Sequence, residues 1–176
     1  MLKLNFNPFP VIDTERLVLR QLHINDAADL FFVRTHPLVL RHTNMAVHQN
    51  VAETEAYIKL ILEKEAKGES IMWAITLKNS PELIGTICYW NIEPEHDRAE
   101  IGYILHPGLH GKGLMGEAII EVIKYGFDKM KLHSIIADVH KDNMASVKLL
   151  QRNGFVRQEI IDELDPDRVV YVLENK

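Results

Sequence analysis

The sequence predicts a single α+β domain built on a mixed, mostly antiparallel sheet, and three observations carry that prediction. The 176 residues suffice for one sizeable core but not for two ordinary domains. β-rich segments in the middle of the chain follow one another as a meander does. The last third alternates strand, helix, strand and helix before a closing hairpin, and that order favours one short right-handed parallel crossover.

Each element has a local signature. Residues 16–22 (RLVLRQL) alternate apolar and polar positions, the period of a half-buried strand. Asn25 precedes DAADLFFV and reads as the cap of a short helix, whereas residues 35–49 follow no regular pattern. Asn50 with Glu53 three residues on resembles a capping box, which opens a helix through Ala66 that stops at Gly68. Residues 71–77, 83–92 and 99–105 are strands, separated by the turn signals Asn79-Ser80-Pro81 and Glu93-Pro94. Met115, Ala118, Ile119, Val122, Ile123, Phe127 and Met130 fall on one broad helical stripe. A strand at 134–139 and a helix at 143–152 ended by Asn153-Gly154 follow; residues 155–164 and 169–173 then pair around Asp165-Pro166-Asp167.

Composition excludes several classes of function. Hydrophobic residues at 47% and charged residues at 26% describe a folded soluble chain, not a disordered one. Lys and Arg number 20 against 25 Asp and Glu, a formal net charge of -5, where a phosphate-backbone binder needs the opposite sign; no nucleic-acid partner is expected. Cys88 is the only cysteine, so no intramolecular disulfide or cysteine metal site forms, and a reducing cytoplasm fits. MLKLNFNPFPVID lacks the continuous apolar run of a signal peptide, and neither secretion nor a membrane partner is expected.

His110-Gly111-Lys112-Gly113-Leu114-Met115-Gly116 lies between a strand and the long amphipathic helix, where unpaired N–H groups and the positive helix end converge on an anion. The bland alternative is a plain Gly-rich connection. A third reading takes Gly111, Gly113 and Gly116 as a dinucleotide-binding GxGxxG with Asp138 as the ribose acid. Against it, residues 106–110 separate the strand from the glycines, and the chain ends in a hairpin instead of further βαβ units.

AEIGYILHPGLHGKGLMGEA and DNMASVKLLQRNGF together resemble the acetyl-CoA-binding core of the GNAT acyltransferases. TERLVLRQL and LIGTICYWNIE are similar to the branch that includes the ribosomal-protein-alanine N-acetyltransferases, so the likeness runs from Thr14 to the last strand. The resemblance implies a central sheet of about seven strands flanked by about four helices, with the fourth and fifth strands parallel and splayed. Tyr103, Ile104 and Leu105 would pair by backbone with the pantetheine arm, and residues 110–116 would hold the diphosphate. The superfamily's loop pattern, Q/R-x-x-G-x-G/A, falls on His110, Gly113 and Met115, of which only Gly113 keeps it. Asn143 matches the asparagine that contacts the cofactor arm; a helix cap is its ordinary role.

Acetyl transfer from a thioester to an amine needs a neutral nitrogen, a polarised carbonyl and an outlet for the thiolate. The resemblance makes Glu100 the base, with a salt-bridged surface residue near Arg98 as the alternative. The N–H of Ile104 or of Leu105 would polarise the carbonyl. In many relatives a tyrosine seven residues after the asparagine protonates the sulfur; here that position is Leu150. Ser146, bound water or no protein acid then remains, and a thiol pKa of about 8.5 makes even the last workable.

His106 and His110 have the i,i+4 spacing of a ligand pair, but Pro107 and Gly108 between them break a helix, and no metal is expected. Trp73, Tyr89 and Trp90 are candidates to wall an amine pocket by cation-π contact, with core packing as the alternative, and Cys88 reads as a small hydrophobe. The expected function is acetyl-CoA-dependent N-acetylation of a primary amine, first a protein N-terminal α-amine of the ribosomal-protein-alanine type. A small amine (polyamine, amino acid or antibiotic) is the alternative acceptor, and non-catalytic CoA sensing the alternative role. The acidic balance suits a cationic acceptor, and the chain is expected to be a monomer or a homodimer.

Overall fold

In the computed structural model, which describes residues 2, 4–159 and 165–175, the meander becomes the middle of an eight-stranded sheet. Its strands are β1 (Ile12–Asp13), β2 (Leu17–Gln21), β3 (Ile71–Leu77), β4 (Leu83–Glu93), β5 (Arg98–Leu105), β6 (Ser134–His140), β7 (Val156–Arg157) and β8 (Arg168–Glu174). They lie in the order β1-β2-β3-β4-β5-β6-β8-β7, antiparallel throughout except for the β5–β6 pair. The helices are α1 (Ala27–Thr35), α2 (Pro37–Leu40), α3 (Val51–Ala66), α4 (Leu114–Tyr125) and α5 (Met144–Arg152). The mixed architecture is the expected one; β1 and α2 raise the counts to eight strands and five helices.

Alternation along the strands builds two cores. Ile71, Trp73 and Ile75 of β3 and Ala99 and Ile101 of β5 join Ala118, Ile119 and Val122 of α4 and Val147 and Leu150 of α5 on one face. Met72 and Ala74 of β3 and Ile104 of β5 meet Leu30 and Val33 of α1 and Ile58 and Ile61 of α3 on the other. The sheet is therefore covered on both sides.

Several local expectations need correction. Asn25 does not cap the first helix: His23 and Asp26 form a capping box around a 3₁₀ turn, and Asp26 also takes both ends of the Arg20 guanidinium at 2.9 and 2.7 Å. Asn50 caps α3 as read, but the Glu53 carboxylate accepts from the backbone N–H of Gln49 and from the Asn50 side chain instead of from the Asn50 backbone N–H. The long amphipathic helix is α-helical only to Tyr125 and continues as a π turn through Met130, a change that apolar spacing alone does not register. In the closing hairpin β7 pairs β8 at Val156↔Val172, while residues 160–164 of the expected first arm lie outside the described residues.

Candidate active site

The parallel pairing of β5 with β6 lasts only three residue pairs, Arg98↔Ser134, Ala99↔Ile135 and Glu100↔Ile136. Beyond Glu100 the two strands part, each still held by its outer neighbour: β5 by β4 as far as Leu105, β6 by β8 as far as His140. The fork has a polarity that settles which amides it offers. His106 donates its N–H to Ile84 in β4, and peptide groups alternate sides along a strand, so Ile104 is likewise turned to β4 while Tyr103 and Leu105 are turned to the fork. Ile104 is thus corrected as a backbone partner for a ligand in the fork. Its side chain lines the cavity there.

The glycine loop starts at the end of β5. Gly111 and Gly113 hold φ of +75° and +74°, values that L side chains rarely adopt, and a Cβ at Gly111 would meet nothing within 4 Å. Among the described residues the amides of Gly111, Lys112 and Gly113 donate to no protein group, and α4 begins at Leu114. Free N–H groups, an open concavity and a helix N-terminus together make an anion cradle. His110 is not part of it through its side chain. The ring turns back, and Nε2 lies 2.9 Å from the Leu105 carbonyl, which it ties to the loop. His106 stacks on Phe32, with ring centroids 5.0 Å apart. A residue absent from the sequence reading stands beside the cradle: Arg16, with Nη2 3.6 Å from a Cβ position at Gly113 and Nη1 donating to Lys112 O at 3.0 Å. Glu117 in the first turn of α4 holds Arg16 in place through Nε at 2.7 Å.

Glu100 sits at the apex of the fork, half-buried, and lines a cavity of about 940 Å³. Burial is the main cause that raises its pKa, and the nearby Asp138 charge adds to it; Asn91 and Arg168 offset part, leaving a value of about 7. Asp138 is itself held by Arg168, whose Nε donates at 2.9 Å, which removes it from the role of a free ribose acid. With a single parallel strand pair in the sheet, the dinucleotide reading fails on topology as well.

Asn143 and Ser146 reach the cavity from the start of α5, where the Asn143 side chain accepts the Ser146 amide at 3.2 Å. Leu150 is fully buried in the core on the α4 side and faces no cavity. Beside Ser146 lies the Tyr103 hydroxyl, buried and without a hydrogen bond of normal geometry, its pKa pushed up to about 12 by burial and lowered in part by Ser146.

The aromatic wall is smaller than expected. Trp73 is fully buried, donates Nε1 to Pro10 O at 2.8 Å and packs edge-on to Tyr89 and Tyr125. Tyr89 is also fully buried and donates to Val122 O at 2.9 Å. Period-two alternation sends both rings toward α4, leaving the indole of Trp90, half exposed, at the cavity. Cys88 also lines the cavity; burial pushes its thiol to about 12, so it stays protonated at neutral pH. Farther out, Arg34, His42, Thr43, Met45, Tyr57 and Ser70 enclose the space, three of them (His42, Thr43 and Met45) from the segment that the sequence left without pattern.

This geometry has close counterparts. Residues 16–156 match the family model described as "Acetyltransferase (GNAT) domain". An uncharacterized N-acetyltransferase of Bacillus subtilis, YoaA, is 33% identical over 153 residues, covering 87% of this chain and 86% of that protein. The ribosomal protein uS5-alanine N-acetyltransferase of Escherichia coli is 28% identical over 152 residues, covering 84% and 78%. Among solved structures, a ribosomal-protein-S5-alanine acetyltransferase of Vibrio fischeri superposes with a TM-score of 0.83 at 22% identity, covering 94% of this chain and 97% of that one. RimL, a ribosomal α-N-protein acetyltransferase in complex with coenzyme A, does so with 0.82 at 20% identity, covering 94% and 98%. A forked parallel pair, a glycine cradle at a helix start and a match over most of the chain's length have one joint meaning: the chain belongs to the GNAT acetyltransferase family.

Proposed function

We propose that the protein transfers the acetyl group of acetyl-CoA directly to a primary amine held in the cavity, and that its acceptor class is the protein N-terminal α-amine. The observation that carries the transfer chemistry is the convergence on one fork of a free amide edge, an anion cradle and a carboxyl group with a pKa of about 7. The relatives that modify ribosomal proteins support the acceptor class.

The residues present fit the coenzyme. Amides of Gly111, Lys112 and Gly113 with the guanidinium of Arg16 would take the diphosphate, and the backbone of Tyr103 and Leu105 the amide-bearing arm. Lys112, Leu114, Met115 and Gly116 would contribute the rest of the turn and the helix end, and Asn143 would meet the arm while capping α5. The bound coenzyme supplies a thioester, whose carbonyl carbon takes the amine as its bond to sulfur breaks. Glu100 accepts the proton that the nitrogen sheds, directly or through water. The Leu105 N–H, turned into the fork, donates to the carbonyl oxygen. Ser146, backed by the Tyr103 hydroxyl, returns a proton to the sulfur. Protonated Cys88 needs no part in direct transfer.

Acetylation of peptides beginning with Ala or Ser, run beside a panel of small amines, tests the proposal. Consumption of acetyl-CoA with one of the peptides is the expected result. CoA binding without transfer to any acceptor would overturn it in favour of a sensing role. Transfer to small amines alone would retain the chemistry and move the acceptor class, a reading favoured by the enclosure of the cavity on the side away from the fork.

A further inference from the structure

Six buried side-chain polar atoms among the described residues have no hydrogen-bond partner, and five of them belong to residues that line this one cavity: Arg34, His42, Thr43, Ser70 and Tyr103. The unmet polar groups of the described residues are thus concentrated around one cavity. Arg34 is the one that carries a permanent charge. It reaches the cavity from α1 and is only 7% exposed.

Its surroundings do not satisfy it. The guanidinium lies 4.2 Å from the centroid of the Tyr57 ring. Nη1 has only the Met45 sulfur at 3.5 Å, Nη2 the Ala46 carbonyl at 3.5 Å, and Nε nothing. Of its five donors, only Nη2 reaches a carbonyl, at the long limit of 3.5 Å, and none meets a carboxylate among the described residues. Arg16, Arg20, Arg98 and Arg168 are each paired with a carboxylate; Arg34 has no such partner among the described residues. The acidic residues that share the cavity are committed or distant in role: Asp138 to Arg168, Asp165 to Asn44, Glu100 to the fork, and Glu69 exposed at the rim. A buried cation with no counterion is costly unless a ligand provides one.

We propose that the acceptor carries a carboxylate in addition to the reacting amine, and that Arg34 binds that carboxylate. The planar fork of a guanidinium matches a carboxylate in two parallel bonds, and the flanking Met45, Tyr57 and Ile61 exclude water from the pair. Opposite charges are then presented to the acceptor by the two ends of one cavity, Glu100 toward the amine and Arg34 toward the acid. The acidic net charge of the chain suggests a purely cationic acceptor, but the local charge at this end has the other sign. An amino acid, or a peptide whose first residues include Asp or Glu, has this chemistry.

The inference rests on the acetyl-transfer reading, and the experiment separates the two. Acid and amide pairs are compared as acceptors at equal free-amine concentration: alanine with alaninamide, and peptides beginning Ala-Asp with those beginning Ala-Asn. For at least one pair the acid form should exceed the amide by about tenfold or more in kcat/KM, through KM. In Arg34→Gln that ratio should fall to about one, and in Arg34→Lys, which keeps the charge without the fork, to an intermediate value. Should Arg34→Gln not fold, the wild-type pairs decide alone. Acetylation with no preference for acids, or a preference that survives in Arg34→Gln, would overturn the role of Arg34 and leave acetyl transfer standing. CoA binding with no acetylation of any amine would remove both.

Discussion

Glu100 is raised to about 7 chiefly because half of it is out of water and Asp138 is near, and those same causes fix its pH behaviour. A base is active when ionised, so kcat/KM should climb as pH rises through about 7, and in Glu100→Gln that limb should vanish while the rate drops by about 100-fold. CoA affinity should be unchanged. Folding must respond in the opposite sense. The unfolded carboxyl titrates at about 4.3, so the wild type loses stability as pH rises from there through about 7, and Glu100→Gln should melt higher than wild type at pH 8 but not at pH 4. A fall in both melting temperature and rate at pH 8 would show instead that the carboxylate is a structural anchor. The sulfur end is buffered by chemistry. Ser146→Ala should cost less than about tenfold in kcat, because the leaving thiolate is already stable, and Tyr103→Phe added to it should cost more than either alone. Placing a tyrosine by Leu150→Tyr should give no gain in kcat and lose about 1–3 kcal/mol of stability, since Leu150 is enclosed by core side chains.

Strands, the amphipathic helix and the glycine loop were legible in the sequence because each depends on short-range periodicity or on backbone freedom. The corrections fall where a single residue has two suitors. Asn25 looks like a cap, but His23 takes that role, with Asp26 as its reciprocal partner, fixed there by two hydrogen bonds from Arg20, six positions back along the chain. Asp26→Ala should accordingly destabilise by about 3 kcal/mol, measured by denaturant unfolding, as it strands Arg20 and the His23 amide together. The direction of the Trp73 and Tyr89 rings required knowing which face α4 covers, and strand alternation gives parity without giving that choice. Arg16 and Arg34 went unread because their roles come from chain segments distant in sequence, Lys112 in one case and Tyr57 in the other. The cradle itself is a local device and its test is local: Gly113→Val, forced into a φ of +74°, should weaken CoA binding by at least about tenfold while leaving the rest of the fold intact.

Taken as a whole, the molecule gives each layer a separate task. Helices α4 and α5 meet the sheet on the side of the larger core, the cradle leads directly into α4, and the Asn143–Ser146 turn opens α5. Helices α1 and α3, with the irregular segment between α2 and α3, close the opposite face over the outer cavity. Saturation with CoA joins the two sides of the fork through one ligand. At free CoA of about 100 times Kd the folded state gains about 2.7 kcal/mol, so a melting-temperature rise of roughly 5–10 °C is expected for a chain of this size. No rise at saturating CoA would mean that the fork does not grip the coenzyme.

The three-pair limit of β5 against β6 also sets a rule for how this protein can change over generations. Glu100 belongs to the last pair, so the place where the strands separate and the place of the carboxyl are a single position in the register. Losing one residue between Arg98 and Glu100 would turn the neighbouring apolar side chains into the slot and the carboxyl into the oil. Insertions among residues 41–50, by contrast, touch neither. Evolution is therefore free to rewrite what is modified, within a frame whose length by even one peptide it must not alter.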